Sequence, residues 1–335
     1  MPERSDNSKM RVENRALVID AIFAARYTSR AELSKLLKLS KPTVNEHVDQ
    51  LVKEKIAIEL GKGRPIRRGG RRPTMVAPNG GRAYVLALDA SQQSPVVAVG
   101  DLLREPVDRT YLEPGEVRAE SALCAARELL ARNSIAEGSV EAVVIAAPTG
   151  EAPGYSGADY FAAFSGAFGA ALTIKRSADM ALAGELKYLG GEDGRSLLLI
   201  NCGRDITASL AIGGSLFDGA NGRDGRIGGM ATRFGAARYS CCRGETEDFE
   251  RDAESVGAAL ADVIVSAAAL TGIDTALIGG NAATFFDALS PVIAREIGKA
   301  GAGVDVVPVS LGSVGGIIGC FETGARGVIA RLAQI

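Results

Sequence analysis

Hydrophobic positions recur at helical spacing in the first fifth of the chain and in short apolar runs beyond it. From Asn14 to Ala25, "NRALVIDAIFAA" sets Val18, Ile22 and Ala25 on one face, which predicts a helix. In the stretch that follows, "TSRAELSKLLKLSKPTVNEHVDQLVKEKIAIE", Ser29 with Glu32 three residues on forms a capping box. It opens a short helix carrying Leu33, Leu36 and Leu37. After a tight turn through Lys38 and Leu39, Ser40 is the expected N-cap of a third helix that tolerates Pro42 in its first turn. There Val44, Val48, Leu51 and Val52 mark a buried stripe, and Lys41, Thr43, Asn45, Glu46 and Gln50 a polar face. "IAIEL" and "TMVAP" then read as two short strands bracketing "GKGRPIRRGGRRP". Two helices joined by a short turn and followed by a strand pair predict a winged helix-turn-helix, whose polar helix face is free to enter a major groove.

Past Asn79 the pattern becomes β-rich. "AYVLALDAS", "PVVAVGDL" and "VDRTYLE" predict three consecutive strands, "VRAESALCAARELLARN" a helix and "VEAVVIAAP" a buried strand. A comparable order returns in "SLLLINCG", "ITASLAIGG", a long helix from about Phe249 to Leu270, and "TALIGG". The repeated β-β-β-α-β order predicts two similar lobes facing each other across a cleft, a natural ligand site. The domain division is therefore 1–80, a winged helix-turn-helix with a basic wing and linker, and 81–335, a two-lobed α/β unit for dimerisation and effector binding.

Charge sharpens that division. The whole chain carries a formal −2, yet residues 1–80 hold 17 Lys and Arg against 9 Asp and Glu, a net of +8. The remaining 21 against 31 give −10 in 81–335. Six of the thirteen residues in 61–73 are basic. A basic head on an acidic body points to a nucleic-acid module attached to a unit that does not bind nucleic acid. Lys62, Arg64, Arg67, Arg68 and Arg71 are candidate phosphate or minor-groove contacts. Ser40, Lys41, Thr43 and Asn45 are candidate helix contacts to DNA. No run of about 18 apolar residues is evident, and the polar "MPERSDNSKM" predicts no secretory signal. Cysteines 124, 202, 241, 242 and 320 form no secreted-type framework, so a reducing cytoplasm is expected. His47, the one histidine, sits between stripe and polar face of the third helix and is expected to pack or to face phosphate.

With these segments in order, the chain resembles the ROK family (repressors, open reading frames, kinases), and within it the sugar-responsive repressors. The resemblance runs over roughly 11–330. Its head carries "NRALVIDAI", "SRAELSKLLKLSKPTVNEHVDQLVKEKIAIE" and "GGRRP"; its body carries "VLALDAS", "GRIGGMA", "YSCCRGETEDFE", "ALIGGNAA" and "GSVGGIIGC". The resemblance implies a two-lobed, actin-like and ribonuclease-H-like sugar-kinase body behind the winged helix-turn-helix. It also implies a homodimer or higher homo-oligomer reading an inverted-repeat operator.

The departures from the family pattern bear on chemistry. The Asn-Asp pair that family kinases place ahead of a helix ending in Glu, anchored here on Glu185, falls on Arg176 and Ser177. Ser177 has no base strength at neutral pH, and Asp179, two residues along a helix, does not share its face. The glycine-rich phosphate turn reads "CGRDITASL", and the loop after Asp89 reads "ASQQS" without glycine. Phosphoryl transfer needs positioning and charge stabilisation, so no kinase activity and no cofactor are expected. The family's zinc pattern retains Cys241, while its other positions fall on Arg243, Asp248 and Gly229; with His47 alone in the head, a Cys3His site is impossible, and no metal is expected. Cys241 and Cys242 are left as a vicinal relic or a redox pair.

Of the sugar contacts that the resemblance implies, Glu250 survives, and Arg226 stands where a Glu is expected. Arg176, Ser177, Arg226 and Glu250 are thus candidate effector residues. Two guanidinium groups in one cleft would favour an anionic sugar derivative; alternatively both arginines point outward or pair with Glu250 and Asp248. Three functions follow: a repressor of carbohydrate-related genes with a catalytically dead, sensing body; a sugar kinase with a regulatory DNA-binding head; or a DNA-binding protein on an effector-free scaffold.

Overall fold

The computed structural model describes residues 3–62, 73–115, 118–148, 155–190, 194–202, 206–217 and 246–334, with the side chains of 3–8, 62 and 246–251 outside that description. The basic wing tip, the Cys241–Cys242 pair, Gly203–Asp205 and Arg226 therefore lie outside the described residues.

The head holds α1 (Glu3–Ala25), β1 (Thr28–Ser29), α2 (Arg30–Leu37), α3 (Lys41–Lys53), β2 (Ala57–Lys62) and β3 (Thr74–Pro78). Its strands form one antiparallel sheet in the order β1-β3-β2. The capping box at α2 is present: the Ser29 hydroxyl accepts from the Glu32 amide, and the Glu32 carboxylate accepts from the Ser29 amide at 2.8 Å. Lys38, with φ 55°, closes α2 in the left-handed conformation and turns the chain into α3. Ser40 caps α3 by accepting from the Thr43 amide.

Three expectations for the head are corrected. The first helix begins at Glu3, eleven residues before the apolar pattern starts. Residues 9–13 are exposed, so periodicity is silent there; Lys9–Glu13 and Arg11–Glu46 ion pairs line that stretch instead. Leu36 is 68% exposed, so α2 presents only Leu33 as a fully buried anchor. The expected linker shrinks to residues 79–83, because β3 runs almost directly into the first strand of the body.

The first lobe contains β4 (Tyr84–Asp89), β5 (Val96–Asp101), β6 (Pro106–Tyr111), α4 (Ala119–Arg132), β7 (Val140–Ala147), α5 (Gly157–Phe164) and β8 (Ala171–Arg176). After α6 (Ser177–Tyr188) the second lobe repeats the plan with β9 (Leu197–Cys202), β10 (Ile206–Ile212), β11 (Ser215–Leu216), α7 (Thr246–Thr271), β12 (Thr275–Gly280), α8 (Phe286–Lys299) and β13 (Asp305–Pro308). The chain closes with α9 (Gly315–Ala333). The sheet orders are β6-β5-β4-β7-β8 and β11-β10-β9-β12-β13. In each, three strands pair antiparallel and the last two join in parallel. The repeat is thus one strand longer per lobe than the pattern predicts. The extra strands, β8 and β13, are half-exposed edges without a continuous apolar run, which is why they leave no signal.

The cores explain where the helices lie. Leu86, Leu88, Val97 and Val99 on one face of the first sheet pack with α4 and with Tyr160 and Phe164 of α5. Val85, Ala87 and Ala98 on its other face meet Ile317, Phe321 and Val328 of α9. In the second lobe Leu198, Ile200 and Ile278 pack with α7 and α8, while Leu197, Leu199 and Leu277 meet Leu182 and Leu186 of α6. So α6 and α9 lie side by side between the two sheets. The stretch Asp252–Thr271 of α7 is long and apolar enough by average to cross a membrane, with mean hydropathy 1.6, although Asp252, Glu254 and Asp262 interrupt it. Its Val256, Leu260 and Ile264 instead fill the second core.

Close approach of α6 and α9 requires glycine. A Cβ on Gly319 would lie 1.8 Å from the Met180 carbonyl oxygen, and one on Gly184 would lie 2.3 Å from the Gly315 carbonyl oxygen. Both obstacles are backbone, which cannot rotate aside. Gly319→Ala is expected to destabilise the protein by roughly 1–3 kcal/mol through overpacking. Gly327→Ala, on the same helix with only the tip of Arg331 at 3.8 Å, is expected to add about 0.5–1 kcal/mol. Urea unfolding of the two variants against the parent checks both signs.

Candidate nucleic-acid interface and interlobe cleft

The third helix carries its stripe as expected, with Val44, Val48 and Leu51 fully buried and Val52 partly so. His47 is buried with them, its Nδ1 has no partner among the described residues, and burial pushes its pKa down. It is a neutral packing residue. Ser40, Lys41 and Asn45 are exposed at the other side of α3, with Thr43 half-buried and its hydroxyl 2.7 Å from that of Ser40. Glu46 is drawn off by Arg11 at 2.9 Å. Lys62 pairs with Thr74 at the last described rung of β2 and β3, and Arg64, Arg67, Arg68 and Arg71 lie outside the described residues.

Two arginines that sequence reasoning missed organise this head. Arg30, the first residue of α2, reaches Asp49 on α3 at 2.7 Å and Glu59 on β2 at 2.8 Å. Arg15 of α1 is almost buried: it pairs with Glu54 at 2.5 Å and donates to the Leu332 carbonyl at the end of α9, at 3.0 and 3.2 Å. Arg26 adds a bond to the Leu103 carbonyl in the β5–β6 turn. The head is therefore docked on the first lobe and the last helix, and Val18, Ile19 and Ile22 share one core cluster with α9.

In the cleft, Arg176 ends β8 and Ser177 begins α6. The Arg176 fork closes on Asp179, Nε to Oδ2 at 2.9 Å and Nη2 to Oδ1 at 2.7 Å, while Nη1 reaches the Ala208 carbonyl of β10 at 3.5 Å. Ser209 donates to the same Asp179. Among the described residues the bidentate partner of Arg176 is Asp179, because as N-cap of α6 it stands three residues from that carboxylate; the alternative pairing with Glu250 and Asp248 falls on side chains outside the described residues. Arg226 and the side chain of Glu250 lie outside the described residues, so Arg176 and Ser177 are the two effector candidates with a described position.

Asp89, at the end of β4, was not a candidate, yet its carboxylate is buried. Its Oδ1 accepts from the Ser91 amide at 3.0 Å and the Ser91 hydroxyl at 2.6 Å, and its Oδ2 accepts from Gln92 at 3.0 Å. The loop "ASQQS" therefore folds back on its own aspartate. Gly316, in the first turn of α9, lies so near that a Cβ there would be 2.5 Å from Asp89 Oδ2. Glu185 of α6 is also buried and accepts from the Leu311 amide at 2.7 Å, tying α6 to the segment that leads into α9. A cavity of about 200 Å³ opens beside the Asp89 loop, lined by Gln92, Gln93, Ser94, Arg109, Tyr111 and Ser313 among others. Arg176 and Ser177 do not line it. Among the described residues no group of three or more His, Cys, Asp and Glu side chains could hold a metal.

Comparison with solved structures places this arrangement. A ROK family transcriptional regulator, described as a homolog of the E. coli MLC protein, superposes with a TM-score of 0.68 over 97% of this chain and 99% of that one, at 14% identity. The fold is that of a ROK-family regulator. A ROK family glucokinase from Streptomyces griseus, solved with glucose and AMPPNP, matches 73% of this chain and all of its own at a TM-score of 0.58 and 16% identity. The body alone therefore shares the ROK kinase fold, and the regulator match extends through the head. In sequence, the xylose repressor of Lactiplantibacillus pentosus is 23% identical over 248 residues, 70% of this chain and 64% of its own. That of Bacillus subtilis (strain 168) is 34% identical over 85 residues, 25% of this chain and 22% of its own. A Caldicellulosiruptor protein is 26% identical over 245 residues, 68% of this chain. The chain spans about 61% of that relative's length, and less of the shorter matches. No family profile matches the sequence.

Burial raises the pKa of Asp89, with the bonds from Ser91 and Gln92 opposing the rise. A carboxyl that holds its proton more tightly when folded adds stability below its unfolded pKa and loses that contribution as pH rises through the folded value. Asp89→Asn is therefore expected to be more stable than the parent at pH 7, with the gap shrinking as pH falls toward 5. Melting temperatures across that range check the sign.

Proposed function

We propose that the protein is a cytoplasmic, DNA-binding transcriptional repressor of carbohydrate-related genes, acting as a homodimer or higher homo-oligomer on an inverted-repeat operator. The observation that carries the reading is the head: a capped recognition helix with an exposed polar face beside a hairpin whose tip holds the densest positive charge in an acidic chain. The xylose-repressor relatives agree with it. In this reading Lys41, Thr43 and Asn45 contact base edges or adjoining phosphates, Ser40 sets the helix start, and Lys62, Arg64, Arg67, Arg68 and Arg71 grip the backbone or minor groove. The functional division falls near residue 80, although the two parts share a core.

The body serves as assembly and sensing unit without catalysis. Ser177 stands in the position from which a base would act, and Asp89 is capped by its own loop where a kinase of this fold would receive phosphates. A carbohydrate-type effector would enter the cleft at Arg176, Ser177, Arg226 and Glu250. Because Arg176 is already neutralised by Asp179, an anionic ligand must compete with that carboxylate. The helix α9 offers the route to DNA: its first turn touches the Asp89 loop and its last carbonyls hold Arg15 of the head. A ligand that favours one lobe arrangement would thereby favour one head placement.

Gel shifts against an operator selected from random duplexes test the DNA reading. Replacing Arg67, Arg68 and Arg71 together with Ala is expected to weaken all duplexes and to flatten the salt dependence by about two to three units in the log–log slope. Thr43→Ala or Asn45→Ala is expected to cost about 1–3 kcal/mol on operator and much less on random DNA. A triple variant with unchanged binding refutes the wing assignment. A thermal-shift panel of neutral sugars, sugar acids and sugar phosphates tests the effector, with a rise expected for at least one ligand that also alters operator affinity. Phosphorylation of any panel sugar from ATP would refute the non-catalytic reading.

A further inference from the structure

We propose that Arg30 is a positioning residue for DNA recognition, fixing the angle between the recognition helix and the wing without itself gripping phosphate. The proposal rests on the DNA-binding reading above and names the joint on which operator discrimination depends.

The guanidinium of Arg30 meets two elements at once. Nη2 pairs with Asp49 Oδ1 of α3 at 2.7 Å and with Glu59 Oε1 of β2 at 2.8 Å, and Nη1 donates to the Asn45 carbonyl of α3 at 3.3 Å. No other ion pair among the described residues joins α3 to β2. The Arg30 side chain is 23% exposed, against 67% for Asp49 and 42% for Glu59, so the cation lies beneath the two carboxylates. Asn45 and Asp49 stand four residues apart and share a face of α3. Holding the Asn45 carbonyl and the Asp49 carboxylate therefore fixes how far that face stands from the wing, and with it the depth to which Asn45 reaches.

Electrostatics separates this role from phosphate contact. One guanidinium faces two carboxylates, so the trio carries a net −1 and attracts no phosphate. Removing Arg30 would leave two uncompensated carboxylates beside the polar face. A lysine has one nitrogen, which can stand in for Nη2 between the carboxylates but loses the planar fork that also places Nη1 on the Asn45 carbonyl.

The test uses the full chain, with selected operator and random duplex titrated at several salt concentrations. Arg30→Ala and Arg30→Lys are each expected to lower operator affinity about tenfold or more, with random-duplex affinity changed by no more than about threefold. Their salt slopes should match the parent, since no phosphate contact is lost. Asp49→Asn combined with Glu59→Gln keeps acceptors and frees the cation; it should lower discrimination while tightening random-duplex binding. An Arg30→Ala slope flattened by about one unit would assign Arg30 to phosphate and overturn the proposal. So would equal losses on both duplexes, or operator affinity unchanged in both Arg30→Ala and the double variant. A parent chain that binds no duplex overturns the DNA-binding reading together with this one; a parent that discriminates beside an equally discriminating Arg30→Ala overturns this one alone.

Discussion

The backbone-to-backbone approach of α6 and α9 is the constraint from which the rest of the molecule follows. These two helices fill the space between the sheets, and they fit because Gly184, Gly315 and Gly319 carry no side chain at the seam. Each helix gives its outer face to a different sheet: α6 to Leu197, Leu199 and Leu277, and α9 to Val85, Ala87 and Ala98. A bulkier seam would separate the lobes and pull Asp179 of α6 away from Ser209 of β10. Small residues at one line thus set the geometry of a cleft several residues away.

The same seam ties the cleft to the head. Gly316 presses the start of α9 against Asp89, and the end of α9 accepts two hydrogen bonds from Arg15. Arg15 also pairs with Glu54 at the exit of α3, so one buried guanidinium joins α1, α3 and α9. A buried charge is tolerable only when its hydrogen bonds are satisfied on all sides. That requirement makes the head a fixed extension of the body instead of a module on a tether, in keeping with the short connection between β3 and β4.

Polar groups in the cleft satisfy one another. Among the described residues Arg176 bonds Asp179, and Asp89 bonds Ser91 and Gln92, all within the chain. The ROK kinase fold is present around them, but these groups face inward to their partners. Retention of a fold with its polar machinery turned to internal bonding is a physical description of a body suited to holding shape, and a fold of this kind supports many functions through the residues placed in it.

The sequence by itself determined the kinds of element and their order. Ser29 with Glu32, and Ser40, are caps whose partners lie three residues away, and the stripe Val44–Val48–Leu51 repeats within three turns, so the helices of the head are legible at short range. Apolar runs long enough to be buried strands made the doubled lobe legible too, while the edges β8 and β13 carry no such run and stayed silent. The absence of a base at Ser177 and of glycine after Asp89 could also be read directly. Only the tertiary structure decided which charges meet. Arg15 finds a carbonyl 317 residues away, Arg30 a carboxylate 29 residues away, and Asp179 a hydroxyl 30 residues away. Periodicity reports which face of an element is buried; it carries no information on which distant side chain completes a buried charge, because that is set by how the elements pack.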